Sequence, residues 1–248
     1  MRLLLIAFQF LTIIPLPFTV RCEQEDLGRS SAFFPVVGLV IGGLLVAANR
    51  LISPWFASSL CDALLITLMT LVTGALHLDG LADVCDGLAA RGGRERFLAV
   101  MKDSQVGAIG AVGLVLGILL KWQALAAVPA ELKWQALLIF PALARFGQVV
   151  TMTGARHARQ DGLGAAFAQG SGGIPLFLAF VTTVAGCMYL LGLKGMIVLA
   201  AVCFCTVAGR TFFLRKLGGL TGDTIGCISE LNEILALLVI SALPLIKF

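Results

Sequence analysis

Three carboxylates stand close together in a chain that otherwise carries few charges. They lie in His77-Leu78-Asp79-Gly80-Leu81-Ala82-Asp83-Val84-Cys85-Asp86-Gly87. Asp79, Asp83 and Asp86 follow an i, i+4, i+7 spacing, which at roughly 100° per residue puts all three on one face of a helix. Like charges on one stripe repel unless a cation neutralises them. Mg²⁺, which takes oxygen ligands and shares them with phosphates, is the expected partner. The alternative is a solvated helix end whose aspartates merely cap it; charge clustered beside apolar spans favours the metal. Gly80 and Gly87 share the neighbouring face, where missing side chains would let a bulky ligand approach the backbone. His77 falls about 200° from Asp79 and so stays off the stripe. A structural hydrogen bond and a proton-transfer role are both open to it. The chemistry indicated is metal-assisted work on phosphates.

Cations follow at once, in Arg91-Gly92-Gly93-Arg94-Glu95-Arg96 and in Met101-Lys102-Asp103-Ser104-Gln105-Val106-Gly107. Arginine can bridge phosphate oxygens as a fork and lysine acts as a point charge; the competing reading is that these residues only set topology. Arg145 sits inside an apolar run and must face the bundle interior, with either a phosphate or an acidic side chain as partner. A third polar stretch, Ala158-Arg159-Gln160-Asp161-Gly162-Leu163-Gly164, combines a base, an acid and glycines. A fourth contains Thr221-Gly222-Asp223 and is followed by Glu230, Asn232 and Glu233. It offers oxygen ligands, Asp223 and Glu230 among them, for a second metal or for the far end of a substrate. Otherwise it is a glycine-rich turn entering the last helix, capped by Asp223 or Ser229.

These groups must be positioned by membrane helices. Of 248 residues, 59% are hydrophobic and 13% charged, and the mean hydropathy is +0.99, well beyond an ordinary soluble domain. The fold expected is all-α: a polytopic membrane helix bundle of about seven transmembrane helices plus an N-terminal re-entrant or interfacial helix. Candidate spans are about 32–52, 58–76, 106–129, 134–153, 174–193, 195–214 and 231–247. The N-terminal run is broken by Pro15 and Pro17 and lacks a small-residue cleavage site, so it reads as retained. Basic stretches alternate with uncharged turns in step with the spans, so one orientation puts every basic stretch on the cytoplasmic side. That accounts for the net charge of +4 without nucleic acid. The seven cysteines form no CxxC pair and behave as small hydrophobes. No repeat or linker divides residues 1–248, which read as one domain.

The chain resembles the cobalamin synthase family, the adenosylcobinamide-GDP ribazoletransferases of bacterial inner membranes. The resemblance is carried by Phe10-Leu11-Thr12-Ile13-Ile14-Pro15, Phe33-Phe34-Pro35-Val36-Val37-Gly38, the acidic helix from His77 to Gly87, Met101-Lys102-Asp103-Ser104, Gly162-Leu163-Gly164 and Gly218-Gly219-Leu220-Thr221-Gly222-Asp223. It implies a Mg²⁺-dependent condensation of adenosylcobinamide-GDP with α-ribazole or its 5′-phosphate, giving adenosylcobalamin or its phosphate and releasing GMP. On that reading Asp79, Asp83 and Asp86 hold the metal, Arg and Lys side chains stabilise spreading charge, and a spare carboxylate or His77 takes the proton. It also implies residence in the inner membrane, in contact with lipid, with self-association left open. Asp83-Val84-Cys85-Asp86-Gly87-Leu88-Ala89-Ala90-Arg91 is similar to the first half of the CDP-alcohol phosphotransferase signature, whose second half is missing. The shared half supports the same reaction type, displacement of a nucleoside monophosphate by an alcohol. A divalent-cation transporter is disfavoured because the acids lie at a membrane end among bases, without repeats.

Overall fold

The computed structural model describes residues 1–17, 20–156, 158, 167 and 170–245. Its helices are α1 (Arg2–Leu11), α2 (Gln24–Ser30), α3 (Phe34–Ile52), α4 (Ser58–Val72), α5 (Leu76–Ala89), α6 (Gly93–Val100), α7 (Ala108–Ala126), α8 (Lys133–Met152), α9 (Gly173–Leu191), α10 (Leu193–Leu217) and α11 (Gly222–Ala242). Six helices among the described residues are long and apolar enough to cross a membrane, or seven when α4 and α5 are taken as one bent span. The all-α multi-pass bundle expected from composition is therefore what forms.

Two spans depart from the expectation. A straight helix over 58–76 does not form: α4 stops at Val72, and α5 leaves it at an angle of 91°. Gly74 and Ala75 both adopt left-handed backbone, with φ of 60° and 57°, which a right-handed helix cannot continue. The last span starts at Gly222, well before the expected position 231. A reciprocal cap starts it there: Thr221 Oγ1 accepts from the Thr224 amide, and Thr224 Oγ1 accepts from the Thr221 amide. At the N-terminus α1 has 10 residues, about 15 Å of helix, too short to cross. Arg2 ties it to α2 by donating to both Asp26 oxygens at 2.6 and 2.7 Å.

Helix α8 runs through the middle, buried continuously from Ala136 to Val149 except at Leu138, with α3, α9, α10 and α11 packed around it. Gly38 admits close approach of α3, since a Cβ there would meet Ala142 Cα at 2.5 Å. In lipid, where oily side chains gain little from leaving the solvent, such backbone-level contact supplies much of the association.

The ends of the bundle differ. At one, Arg94 donates to the carbonyls of Leu217 (Nε, 2.6 Å) and Ala158 (Nη2, 3.1 Å). There Leu220 also exchanges backbone hydrogen bonds with Arg156 and Ala158, so the second, third and fourth polar stretches are stitched together. At the other end lie Trp55, Trp134 and Trp122, the last donating to the Ser59 carbonyl at 3.0 Å. Basic residues gathered at one end and tryptophans at the other are the marks of the two membrane interfaces.

Candidate active site

The acidic helix α5 is clamped at the basic end from two sides. At Gly80 its backbone lies directly on the start of α11, where a Cβ would come within 2.7 Å of the Asp223 carbonyl oxygen and 2.9 Å of its Cα. One turn along, a Cβ at Gly226 would sit 3.2 Å from His77 Cα. On its other side α5 packs against α7, whose first turn is held by Asp86: Oδ2 accepts from the Gly107 amide and Oδ1 from the Gly110 amide, both at 2.7 Å. A carboxylate at those otherwise unpaired N–H groups is favoured by both hydrogen bonding and the helix dipole.

These contacts reassign several residues. The glycines are occupied by protein instead of offering bare backbone to a ligand: Gly80 receives α11, and Gly87 receives the Phe97 ring, which a Cβ there would meet at 2.8 Å. Asp86 shares the predicted face with Asp79 and Asp83, yet both of its oxygens serve the start of α7. Asp79 is exposed and Asp83 half-buried, as is Asp223. The crossing at Gly80 thus sets the two acidic segments, distant in sequence, against each other at the basic end.

His77 is 5% exposed, and its Nε2 lies 2.8 Å from Gln148 Nε2, which also donates to Ser229 Oγ at 2.8 Å. With the amide as donor, Nε2 is the acceptor and the ring proton rests on Nδ1. Of the two roles open to it, the structural hydrogen bond is the one present in the fold.

Deeper in the bundle, Glu230 and Glu233 are buried with two cations. Lys121 donates to Glu230 Oε2 and Glu233 Oε2, both at 2.5 Å, while Arg145 Nη1 pairs with Glu233 Oε1. Two positive and two negative charges balance, which is how ionised groups survive at this depth. Glu230 is therefore an ion-pair partner of Lys121, not a metal ligand at the rim, and Arg145 meets an acid instead of a phosphate. Lys121 and Gln148 carry no role in the sequence reading, and Glu233, one of the oxygen donors of the fourth stretch there, is an ion-pair partner instead. A lone lysine inside an apolar span was the available signal for the first, and the i, i+3 spacing of the glutamates for their shared face.

The remaining candidates lie at the basic end. Arg91, Lys102, Asp103 and Ser104 are exposed, and Asp103 Oδ1 accepts from the Gln105 amide at 3.1 Å, closing a turn. Arg94 is the staple described above, with its guanidinium on main-chain carbonyls. Thr221 is spent as a helix cap, whereas Gly222 is exposed and has open space where a side chain would stand. Arg159 lies outside the described residues, as do Asp161 and Gly162-Leu163-Gly164.

Among the described residues no three His, Cys, Asp or Glu side chains stand close enough to cage an ion by themselves. Mg²⁺ rarely needs such a cage, since it takes one or two carboxylates and completes its octahedron with water and substrate phosphate. Asp79, exposed, and Asp83 and Asp223, half-buried, offer hard oxygen donors at the basic end, which fit that mode of binding.

Known proteins match the chain over nearly its whole length. The family described as Cobalamin-5-phosphate synthase matches residues 3–241. An adenosylcobinamide-GDP ribazoletransferase of Geotalea daltonii is 57% identical over 98% of both chains. Proteins of the same name from Pseudomonas syringae pv. syringae and Acetivibrio thermocellus are 39% and 33% identical, the first over 96% of this chain and 98% of its own, the second over 94% of each. No solved structure matches the chain.

Proposed function

The chain belongs to the cobalamin-5-phosphate synthase family, and from that premise we propose that it joins adenosylcobinamide-GDP to α-ribazole or α-ribazole 5′-phosphate. A ribazole hydroxyl attacks the phosphorus on the cobinamide side of the diphosphate. The new P–O bond forms as the bond to GMP breaks, and GMP departs. The hydroxyl proton passes to a carboxylate at the basic end, since His77 is buried with its acceptor nitrogen engaged.

The observation that carries this reading is the crossing of α5 and α11 at Gly80 and Asp223. It sets the acidic helix and the Thr-Gly-Asp turn side by side among arginines and lysines. One or two of the carboxylates Asp79, Asp83 and Asp223 would hold Mg²⁺ here, with substrate phosphate and water as the other ligands. When bound, the ion supplies charge neutralisation at the diphosphate and its leaving group. The exposed Arg91 and Lys102 meet the nucleotide phosphates, Arg91 as a fork and Lys102 as a point charge. Arg94 keeps the loops that carry them in place, and Gly222 leaves the turn low enough for phosphate to approach the start of α11. The protein resides in the bacterial inner membrane with this end toward the cytoplasm, an orientation that the basic residues gathered there support.

The test is release of GMP from adenosylcobinamide-GDP by the purified chain, followed by mass spectrometry with and without α-ribazole and with Mg²⁺ or excess chelator. Release that needs both α-ribazole and the metal is expected. Release with no ribazole present, or undiminished in chelator, would overturn the reaction or the metal respectively.

A further inference from the structure

The outward face of α10 carries a trough about 570 Å³ in volume, lined by that helix alone. Phe204 and Phe212 stand on either side of Ala208, and Arg215 and Lys216 close the trough at the basic end of the bundle. Phe204 is 77% and Phe212 47% exposed, so the apolar part opens toward lipid. The one hydroxyl in it, on Thr211, is already donated to the Val207 carbonyl at 2.7 Å.

The dimensions match one leaflet. Phe204 and Arg215 are separated by about 16 Å of helix at 1.5 Å per residue, close to half of a hydrocarbon core roughly 30 Å thick. The aromatic part therefore lies along acyl-chain depth, and the two cations fall at headgroup depth. Lys216 is held at the mouth by ring faces, its Nζ 5.7 Å from the Phe97 centroid and 5.9 Å from that of Phe212. Among the described residues neither Arg215 nor Lys216 has a carboxylate partner. Two adjacent positive charges at a membrane surface, above an apolar trough, are complementary to an anionic phospholipid.

We propose that this trough binds one anionic phospholipid, an acyl chain lying over Ala208 between the two rings and the phosphate between Arg215 and Lys216. Water-soluble phosphates would gain nothing from the trough. A second copy docking through the same face about an axis along the membrane normal would set Arg215 and Lys216 against their own equivalents, like charge against like.

The full-length protein in nanodiscs of equal phosphatidylglycerol and phosphatidylethanolamine provides the test, with bound lipid read by native mass spectrometry after release. The wild type should keep one phosphatidylglycerol in preference to phosphatidylethanolamine. The R215Q/K216Q variant should lose that preference by roughly thirty-fold, the effect of two basic groups near an anionic surface, and R215K/K216R should retain most of it. Ala208→Phe fills the trough while leaving both charges, on an exposed position that does not disturb the core, and should also release the lipid. Equal retention of the two lipids by the wild type would overturn the proposal without recourse to any variant. So would an unchanged preference in both R215Q/K216Q and Ala208→Phe. Displacement of the lipid by millimolar glycerol phosphate would mark a free-phosphate site instead, and a lipid-free dimer dissociated by Ala208→Phe would mark a protein interface.

Discussion

Asp79, Asp83 and Asp86 have the same side chain and share a helix face, yet their surroundings give them different work. Asp86 is fixed by the Gly107 and Gly110 amides; Asp79 and Asp83 reach the accessible rim. Replacing Asp86 with Asn should therefore cost about 1–2 kcal/mol of stability, as loss of a helix-capping charge does, with a moderate effect on turnover. Asp79→Asn and Asp83→Asn should do the reverse, lowering saturating turnover by roughly a hundredfold or more through lost charge at the reacting phosphates with little change in melting temperature. Thermal unfolding in detergent together with GMP release separates the cases. Should Asp86→Asn abolish turnover at an unchanged melting temperature, Asp86 would return to the ligand set.

At the level of elements, what matters is how closely α5 lies on α11. Gly80→Ala drives a methyl to within 2.7 Å of the Asp223 carbonyl oxygen, a main-chain contact that neither helix can relieve without moving. We expect a loss of about 1–3 kcal/mol, typical of overpacking, and a fall in turnover larger than stability alone explains. Gly226→Ala meets His77 Cα at 3.2 Å and should be milder on both counts. Equal melting temperatures and equal turnover for Gly80→Ala and wild type would show that the crossing does not position the site. The break between α4 and α5 obeys a similar local rule. Ala75 has φ 57°, which costs a residue with a Cβ roughly 1 kcal/mol, so Ala75→Gly should be neutral or stabilising. Gly74→Ala should be clearly destabilising, because its Cβ would strike Ile13 Cγ2 at 2.5 Å in addition to the backbone cost.

Across the whole molecule, a neutral cluster of buried ions joins α7, α8 and α11, and a basic end faces an aromatic one. Glu233→Gln leaves Arg145 without a counter-ion in the bundle centre and should cost about 3–5 kcal/mol. The paired change Arg145→Met with Glu233→Gln should cost less than Glu233→Gln alone; a double variant worse than the sum of the two singles would contradict this account. Orientation calls for an exposed probe, and Cys227, 4% exposed, cannot serve: its silence would report burial, not side. Cys22 is exposed near the basic end, and Ser53 is exposed at the opposite one. In a background without the other cysteines, an impermeant maleimide should label Cys22 only in inverted vesicles and Ser53→Cys only in intact spheroplasts. Spacing and composition by themselves determined the membrane bundle, the helical acidic stripe, the gathering of basic stretches and the family resemblance. All of these are periodic or additive properties that a local window of residues carries. Only the tertiary structure decided that Asp86 holds α7, that Gly80 and Gly87 are filled by Asp223 and Phe97, that His77 is tied to Gln148, and that Glu230 and Arg145 answer Lys121 and Glu233. The physical reason is that a buried polar group or a bare glycine is defined by what meets it, and in this chain the partners come from other helices, most of them far off in sequence.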